Sequence, residues 1–457
     1  MKKEKHSILA KPQNLKTFYH LLANTLVVGV MNFTVWFAIT FFVYLQTKSV
    51  FAITTIAGLY LVLTSLSGFW FGSLVDHHKK KTMMLVSSFG SLVLYAICFV
   101  VYQLAPDGAF KDPASVTLWS FVVLLMIGVI IGNIRTIAMP TLVTILIPED
   151  RRDKANGLVG TVSGISFLVT SVISGLLVGH SGMFLVLILA MGITVVAILH
   201  LWFVNVPEKG IVHTGDKPKK IDIRGTIAVI TAIPGLVALI MFTTFNNFLG
   251  GVFMALMDPY GLSLVSVQVW GLLWGFLSCG LIVGGLLIAK KGLGKNPLKT
   301  MLVANIIIWI VSSVFTIQAS IILLTVGMLI YMIVMPYIEA SEQTILQKVV
   351  PFERQGRVFG FAQSVELAAA PLTAFLIGPI AQFIFIPFMT TGAGVDLIGG
   401  WFGTGPDRGI ALVFVLTGII GLIVTSIALG SKYYRQLSGR YLTRPAPAEE
   451  TTVSTAD

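Results

Sequence analysis

The stretch Gly72-Ser-Leu-Val-Asp76-His-His-Lys79-Lys80-Lys81 separates two long apolar runs, near residues 50–75 and 82–103. Each run is long enough to cross a bilayer, because a hydrocarbon core of ~30 Å needs about 20 apolar residues in a helix. Ten further runs of this kind fill the chain. Only 11% of the residues are charged and 56% are hydrophobic, whereas soluble proteins are roughly 25% charged. The sequence therefore predicts an all-α polytopic membrane protein.

The apolar runs form two sets of six. They are expected near residues 18–45, 50–75, 82–103, 116–140, 157–179, 182–204, 233–257, 265–289, 298–318, 320–347, 358–386 and 409–430. A long basic polar segment between spans 6 and 7 is predicted to be a linker. Its last part is expected to lie on the membrane surface. The predicted domains are an N-tail (1–17), a six-helix bundle (18–204), the linker (205–232), a second bundle (233–431) and a C-tail (432–457).

The net charge of +11 is distributed by topology. If the N-terminus is cytoplasmic, all but four of the 31 Lys and Arg residues fall on the cytoplasmic side, the exceptions being Lys48, Lys111, Arg135 and Arg408. This bias predicts twelve spans with both termini cytoplasmic. The basic charge then contacts membrane lipid, and no nucleic-acid partner is expected.

The residues needed for catalysis or for a cofactor are not grouped in this sequence. Cys98 and Cys279 each stand alone in an apolar run, and neither His180 nor His200 has a partner at ligand spacing. No phosphate-binding GxxxxGK[ST] string occurs either. We therefore expect no metal, no cofactor and no catalytic residue, and we disfavour a membrane enzyme and an ATP-driven pump. A channel is disfavoured because a repeat of two halves, which suits alternating access, has no obvious use in one.

The two halves of the chain repeat each other in the same order. Three matches carry this repeat: 147–157 with 350–360 at an offset of 203, Asn32-Phe33 with Asn247-Phe248 at 215, and Gly72-xxx-Asp76 with Gly285-xxx-Ala289 at 213. Six spans in each repeat predict a parallel repeat about an axis along the membrane normal. Secondary transporters of this design bind their substrate between the halves, near the midplane of the bilayer.

The loop between spans 2 and 3 resembles the signature G-x-x-x-D-x-x-G-[RK]-[RK] of the major facilitator superfamily, although Lys79 stands where the second glycine is usual. With twelve spans and a central linker, the resemblance covers the whole chain. In that family the glycine permits close packing, and the aspartate faces the N-terminus of span 11, whose dipole favours an anion. The resemblance implies a cytoplasmic gate, latched in the outward-open state, that includes Gly72, Asp76, Lys80, Arg151, Arg354 and Arg357.

Within the superfamily the chain is similar to the drug:proton antiporter branch, which includes macrolide-efflux-like and enterobactin-exporter-like proteins. Three stretches carry this similarity: Met139-Pro140-Thr-Leu, Pro148-Glu followed by Ala155-Asn156-Gly157, and Arg357-Val-Phe-Gly360. Span 5 has a face of small residues but lacks the proline that is usual in this branch. The similarity implies proton-coupled efflux.

Charged residues inside the spans are the candidates for proton coupling, since they cost ~3 kcal/mol to insert. Arg135 and Glu339 lie at related depths in opposite halves. They form either a charge pair that protonation switches, or a cation at the interface and an acid at the cytoplasmic mouth. Glu342 shares a helix face with Glu339, and close carboxylates disfavour ionisation of both. Glu366 is a proton site, a partner for a substrate cation, or a partner of the Asp76 region.

Uncharged polar residues in spans 1 and 7 are candidates for the substrate cavity, namely Asn32, Trp36, Asn246 and Asn247. The alternative is ordinary hydrogen bonding between helices, worth ~0.6 kcal/mol. Asp258, just before Pro259, is expected to end span 7 outside the membrane. The glycine-rich segment 391–409 is expected to be a mobile outer loop.

These observations predict a secondary active transporter that exports lipophilic or amphipathic small molecules by alternating access, coupled to protons. Uniport or symport of a polar solute, and translocation of a lysolipid, are the alternatives. The expected partners are a small-molecule substrate, protons and membrane lipid, with the protein as a monomer. A bacterial inner membrane is the expected location.

Overall fold

A computed structural model of the protein describes residues 12–47, 50–208 and 222–443, and these residues form helices and no strand. The first half contains α1 (Pro12–Thr47), α2 (Val50–His77), α3 (Lys80–Leu104), α4 (Val116–Gly132), α5 (Ile134–Leu146), α6 (Arg152–Ser181) and α7 (Phe184–Phe203). Then follow α8 (Ile223–Ala232), α9 (Leu236–Leu264), α10 (Val267–Lys291), α11 (Pro297–Val314), α12 (Ile321–Val349), α13 (Gln355–Ile380), α14 (Ile386–Thr390), α15 (Ala393–Phe402), α16 (Pro406–Gly430) and α17 (Lys432–Thr443). Short 3₁₀ turns (Glu149–Arg151, Phe352–Arg354) precede α6 and α13, and a π-helical turn (Ala381–Phe385) joins α13 to α14.

The described residues confirm the predicted polytopic helical fold. Eleven segments are long and apolar enough to cross a membrane, with α4 and α5 forming one of them and α13 continuing through α14 in another. The 30-residue helix α6 is the remaining span. Twelve spans result, six before α8 and six after it.

The two halves meet along two related helix pairs. Within the first half α1 packs on α6 and α7, and within the second half α9 packs on α13 and α16. Between the halves, α2 packs on α13 and α6 packs on α10. We call these contacts the α2–α13 seam and the α6–α10 seam. Because the repeat relates α2 to α10 and α6 to α13, a pseudo-twofold axis exchanges the two seams.

Two ends of the bundle need names. The linker side carries the α2–α3 connection at 78–79 and the two 3₁₀ turns that precede α6 and α13. The far side carries the connection 105–115 and the segment 391–405. Residues of α1, α5, α6, α9, α12 and α13 between these ends position the candidate site.

The fourth span is broken, which the sequence did not predict. It ends as α4 at Gly132 and restarts as α5 at Ile134, with Asn133 between them in a tight turn whose N–H bonds to the carbonyl of Ile130. The Asn32 amide donates to the carbonyl of Val129, 2.9 Å away, at this break. A Cβ at Gly132 would overlap the Asn32 amide, so a glycine is required where α1 approaches the break.

Asp258 does not end the seventh span, so that prediction is wrong. Helix α9 continues through Pro259 to Leu264. A proline inside a membrane helix removes one backbone hydrogen bond, which neighbouring groups can compensate. Asp258 instead binds α10, accepting hydrogen bonds from the indole N–H groups of Trp270 (2.9 Å) and Trp274 (3.2 Å).

The glycine-rich segment 391–409 contains a helix and is held in place by a buried arginine of its own. It contains α15, and Arg408 behind it is 2% exposed. The Arg408 guanidinium donates to the carbonyls of Phe402 (2.6 Å), Thr316 (2.9 Å) and Ile317 (2.6 Å). It also lies 4.1 Å from the Phe402 ring centroid. Arg408 thus joins the turn that follows α11 to α15 and α16 on the far side.

Replacing this arginine is expected to destabilise the far side. Arg408→Lys keeps the charge but cannot reach three carbonyls with a planar fork. Hydrogen bonds to a buried charged group contribute about 1.5–3 kcal/mol each. We therefore expect the free energy of unfolding of the purified protein to fall by about 3 kcal/mol, as measured by thermal unfolding. The exposed Arg435→Lys serves as the control. Equal stability of the two variants would contradict this role for Arg408.

Helices α8 and α17 lie outside the spans and pack against the linker side. Asp222 caps α8 by accepting a hydrogen bond from the Gly225 N–H (2.8 Å). Leu437 of α17 is buried against Gly235, whose φ of +83° allows the chain to turn into α9 directly below Tyr433. The predicted surface segment and the first part of the predicted C-tail are therefore helical.

Candidate functional site

A cavity of about 400 Å³ lies between the two halves, above both seams. We call it the central cavity. Its polar lining comes from both halves: Thr25, Asn32, Asn133, Arg135, Thr136, Asn156, Ser163 and Ser166 from the first, and Asn247, Glu339, Glu342, Gln343, Gln363 and Glu366 from the second. The remaining lining is largely apolar. Every predicted proton-coupling residue therefore faces one space.

The three acidic residues of the second half form a cluster in this cavity. The carboxyl groups of Glu342 and Glu366 lie within hydrogen-bonding reach of one another, and Glu339 interacts electrostatically with both. Glu366 also accepts a hydrogen bond from the Thr243 hydroxyl of α9, 2.7 Å away. Glu339 is exposed to the cavity, whereas Glu342 is 9% exposed. Glu366 thus contacts Thr243 and Glu342, and does not bind in the Asp76 region.

Carboxyl groups this close do not all ionise together, because like charges repel strongly where water is scarce. No cation is paired with them among the described residues. The cluster can therefore hold and release a proton, or bind a positively charged group.

Arg135 lies across the same cavity, but it does not form an ion pair with Glu339 in the described structure. It is 3% exposed and donates to Asn24 Oδ1 (2.8 Å), Ser88 Oγ (2.5 Å) and the Met84 carbonyl (3.4 Å). These partners hold the guanidinium inside the first half. The arginine is thus a buried cation rather than one at the interface, and its Nε has no hydrogen-bond partner among the described residues.

Two of the four predicted substrate-cavity residues face the central cavity. Asn32 and Asn247 line it, although Asn32 also accepts the Tyr95 hydroxyl (3.0 Å). Trp36 instead stacks on Tyr60, with ring centroids 3.9 Å apart. Asn246 accepts the Trp309 indole N–H (3.0 Å). Trp36 and Asn246 are therefore used in packing outside the lining of this cavity.

A buried amide cluster closes the cavity toward the linker side. Asn156 of α6 donates to Thr344 Oγ1 (2.8 Å) and Gln347 Oε1 (2.9 Å) of α12, and Gln347 donates to the Pro140 carbonyl (3.0 Å) of α5. In the sequence Asn156 is recognisable only as part of a motif, and its spacing does not indicate this contact. The cluster joins the halves directly below the central cavity.

The α2–α13 seam is a close contact between glycines. A Cβ on Gly72 would lie 2.5 Å from the Gly356 carbonyl oxygen and 3.1 Å from Arg357 Cα. A Cβ on Gly68 would meet the Gly360 carbonyl at 2.9 Å. Small residues in this pattern allow helix backbones to approach closely in a membrane.

Asp76 lies at the N-terminus of α13, where the resemblance places it. Its carboxylate accepts the backbone N–H groups of Gly356 (2.6 Å) and Arg357 (2.9 Å) and is 3.7 Å from the Arg357 guanidinium. The first N–H groups of a helix have no partner within the helix, and the dipole favours an anion there. Asp76 of the first half therefore caps a helix of the second half.

Comparison with known proteins identifies the family. The model of the Major Facilitator Superfamily matches residues 21–374. The chain belongs to this superfamily. Macrolide efflux protein A of Streptococcus pyogenes is 24% identical over 390 residues, which cover 80% of this chain and 90% of that protein.

Solved structures of the superfamily share the fold at low sequence identity. A bacterial homologue of the iron transporter ferroportin in an outward-facing state aligns with a TM-score of 0.69 at 13% identity, covering 91% of this chain and all of that one. The human organic anion transporter MFSD10 aligns with a TM-score of 0.67 at 11% identity, covering 90% of this chain and all of that one. At these identities the likeness concerns the fold alone.

The superfamily loop is connected to the linker through Asp222. Arg357 lies 3.7 Å from Asp222 and Arg354 lies 3.5 Å from it, while Arg357 also contacts His77 Nε2 at 3.0 Å. The Gly225 N–H, together with the two guanidinium groups, lowers the pKa of Asp222. Because this pKa is depressed in the folded protein, the stabilisation is complete at neutral pH and is lost as the pH falls through it.

Replacing Asp222 by asparagine is expected to have a small, salt-dependent effect. Asparagine caps a helix as well as aspartate does, so Asp222→Asn removes only the charge. Partly exposed ion pairs contribute about 0–1 kcal/mol to stability. We expect Asp222→Asn to lower the free energy of unfolding by an amount in that range at low salt, and by less at 1 M salt. Thermal unfolding at both salt concentrations measures it, with the remote Asp107→Asn as the control. A loss unaffected by salt would contradict the ion-pair interpretation.

Lys80 of the signature loop does not bind Asp76 directly. Its backbone N–H and that of Lys81 donate to the Glu208 carboxylate at 2.6 and 2.8 Å, so that Glu208 caps α3. The Lys80 ammonium lies 5.3 Å from the Phe352 ring centroid. Lys80 therefore contacts the turn before α13.

Near the α6–α10 seam, residues next to Arg151 that the sequence pattern does not single out make the contacts between the halves. Arg151, predicted for the gate, is half-exposed and contacts only Asp150, at 3.9 Å, among the described ion pairs. Its neighbour Arg152 donates to the carbonyls of Thr144 (3.0 Å) and, across the halves, Gln347 (3.5 Å). Asp153 accepts the Leu293 N–H (2.8 Å). The 3₁₀ turn before α6 places Arg152, and not the predicted Arg151, in contact with the opposite half. Sequence spacing alone did not indicate this shift of one residue.

Proposed function

We propose that this member of the superfamily exports amphipathic small molecules in exchange for protons, through a bacterial cell membrane, by rocking its two halves about the central cavity. The linker side is the cytoplasmic side in this proposal, with both termini there, and the protein works as a monomer. The observation that carries the proposal is the cluster of Glu339, Glu342 and Glu366 in a cavity shared by both halves.

Several features support the exchange of protons for substrate. The acidic cluster is next to α9 and α13, and α13 is also the helix that Asp76 caps. A change in charge at Glu366 therefore acts on the same helix as the gate. The contacts described between the halves extend from Ser65–Ser364 and Thr136–Gln363 toward the linker side, which supports an outward-facing state.

The substrate class rests on the lining and on the relatives. A cavity with an apolar wall and a few carboxyl and amide groups suits an amphipathic molecule with a basic group. The curated relatives carry the name of a macrolide efflux protein, which favours bulky lipophilic substrates here.

Everted membrane vesicles loaded with a pH-sensitive dye test this function. With a gradient that is acid inside, we expect a lipophilic quaternary ammonium ion, which cannot itself take up a proton in the lumen, to cause proton efflux in vesicles that contain the protein. Glu366→Gln should remove this efflux, while the exposed Glu353→Gln should not. Substrate movement without proton movement would support uniport instead. No movement of any compound or proton, in folded protein, would contradict drug export.

A further inference from the structure

A second cavity, of about 850 Å³, lies farther toward the far side than the central cavity. We call it the outer pocket. It shares no lining residue with the central cavity among the described residues. Aromatic side chains of both halves line it, including Phe37, Phe41, Phe167, Phe253, Trp270 and Trp274. Its size lies within the range of about 300–1,000 Å³ that small-molecule sites occupy.

One carboxylate stands in this apolar lining. Asp258 lines the outer pocket and is exposed. Both indole hydrogen bonds, from Trp270 and Trp274, go to its Oδ1 atom. Among the described residues, Oδ2 accepts no hydrogen bond and no cation pairs with Asp258. The negative charge is thus fixed in position with one oxygen left for a ligand.

The rings around this carboxylate favour a positive charge as well. The Trp270 and Trp274 rings are 6.0 Å apart at 76°, so they present two different orientations to the same space. Aromatic faces attract cations by about 0.5–2 kcal/mol, and tryptophan does so most strongly. A carboxylate and two indoles therefore act together on a cation.

A buried hydroxyl gives an independent indication of a ligand. Ser312 lines the outer pocket, is fully buried, and its Oγ has no hydrogen-bond partner among the described residues. Buried side-chain polar atoms almost always have a partner. A polar atom of a bound molecule would satisfy this hydroxyl.

We propose that the outer pocket is a second ligand site, which binds a bulky aromatic molecule carrying one positive charge. This inference rests on the proposed function, since the site then receives the exported molecule on its way from the central cavity to the far side. The positive charge lies beside Asp258, and the aromatic groups pack against the rings of both halves.

Two glycines of α10 provide a matched pair of variants. Gly271 lines the outer pocket and Gly275, one turn along, does not. No heavy atom lies within 4 Å of a Cβ built at either position. Gly271→Leu therefore fills the pocket without a clash at Cβ, and Gly275→Leu makes the same change outside it.

Equilibrium binding to the purified protein in nanodiscs tests the proposal, with no proton gradient present. The probes are methyltriphenylphosphonium, which is a permanent cation, and triphenylphosphine oxide, which is neutral and of similar shape. Asp258→Asn keeps an acceptor for the indoles and should weaken cation binding about tenfold, with little effect on the neutral probe. Gly271→Leu should lower the number of bound probe molecules per protein by one for both probes, because the central cavity stays intact, whereas Gly275→Leu should bind them as the unaltered protein does.

The outcomes separate this site from the proposed transport reaction. A cation affinity and a number of bound cations per protein that are unchanged in both Asp258→Asn and Gly271→Leu overturn the proposal. Loss of all cation binding in Glu366→Gln alone also overturns it, because that result would place the cation in the central cavity. The absence of binding to the unaltered protein also overturns it. Because the binding assay uses no proton gradient, its result can be interpreted even if the proposed proton coupling is wrong.

Discussion

Gly72→Leu is expected to reduce transport by the reconstituted protein roughly ten- to a hundredfold. The new Cβ would lie 2.5 Å from the Gly356 carbonyl oxygen and 3.1 Å from Arg357 Cα, and both are backbone atoms that cannot rotate away. Overpacking costs about 1–3 kcal/mol, and about 1.4 kcal/mol changes an equilibrium tenfold. The clash exists only when α2 and α13 are together, so it disfavours the state closed on the linker side.

Gly58→Leu is the matched control for this experiment. Gly58 belongs to the same helix, and no heavy atom lies within 4 Å of a Cβ built there. Transport of a substrate found with the vesicle assay should therefore be close to that of the unaltered protein in Gly58→Leu. Equal transport by the two variants would show that the α2–α13 seam does not need to close.

Glu366→Gln is expected to abolish accumulation driven by a proton gradient, while exchange of substrate for substrate continues. A glutamine can still accept the Thr243 hydroxyl that lies 2.7 Å from Glu366, so the cavity keeps its shape. The glutamine side chain cannot lose a proton. A change in the protonation of the cluster therefore no longer changes the charge on α13. Proteoliposomes with labelled substrate measure both activities.

The same assay on Glu339→Gln and Glu342→Gln assigns the roles within the cluster. Glu342 is the carboxyl nearest to Glu366, and Glu339 is the one exposed to the cavity. If all three variants accumulate substrate normally, proton coupling through this cluster is wrong. If Glu339→Gln alone loses exchange, Glu339 binds the substrate.

Much of the fold was predictable because the bilayer restricts the chain. Twelve apolar runs had to become helices, since a membrane provides no water for unpaired backbone groups. The repeat relates Gly72 to Gly285, and in the structure both lie in seams between the halves, although the repeat alone did not indicate which helices meet. The place of Asp76 at α13 followed from the family resemblance and not from spacing.

Other features depended on local geometry that the sequence pattern does not encode. The break at Asn133 has no proline to mark it, and its signal is Gly132 packed against Asn32. Arg151 and Arg152 are adjacent, and only the 3₁₀ turn decides which one reaches Gln347. Asp258 was assigned to a helix end because Pro259 follows it, and the indoles that bind it could not be anticipated because they lie on a different helix.

The two seams also differ in a way that the repeat alone would not suggest. Asp76 caps α13, but Ala289 stands at the related position of the α6–α10 seam, where Asp153 instead accepts the Leu293 N–H from the opposite half. The acids of both seams therefore come from the first half. We infer that the first half latches onto the second at two points on the linker side.

Rocking of the two halves is the central claim, and paired distance measurements between spin labels test it most directly. Labels at the exposed residues Lys79 and Glu353 report the linker side, and labels at Leu59 and Leu372 report the far side, in protein carrying Cys279→Ser. We predict that acid pH, substrate or Glu366→Gln changes the label distance on the linker side and the label distance on the far side in opposite directions, so that one lengthens while the other shortens. Distances that stay fixed, or that change in the same direction, would contradict alternating access by rocking.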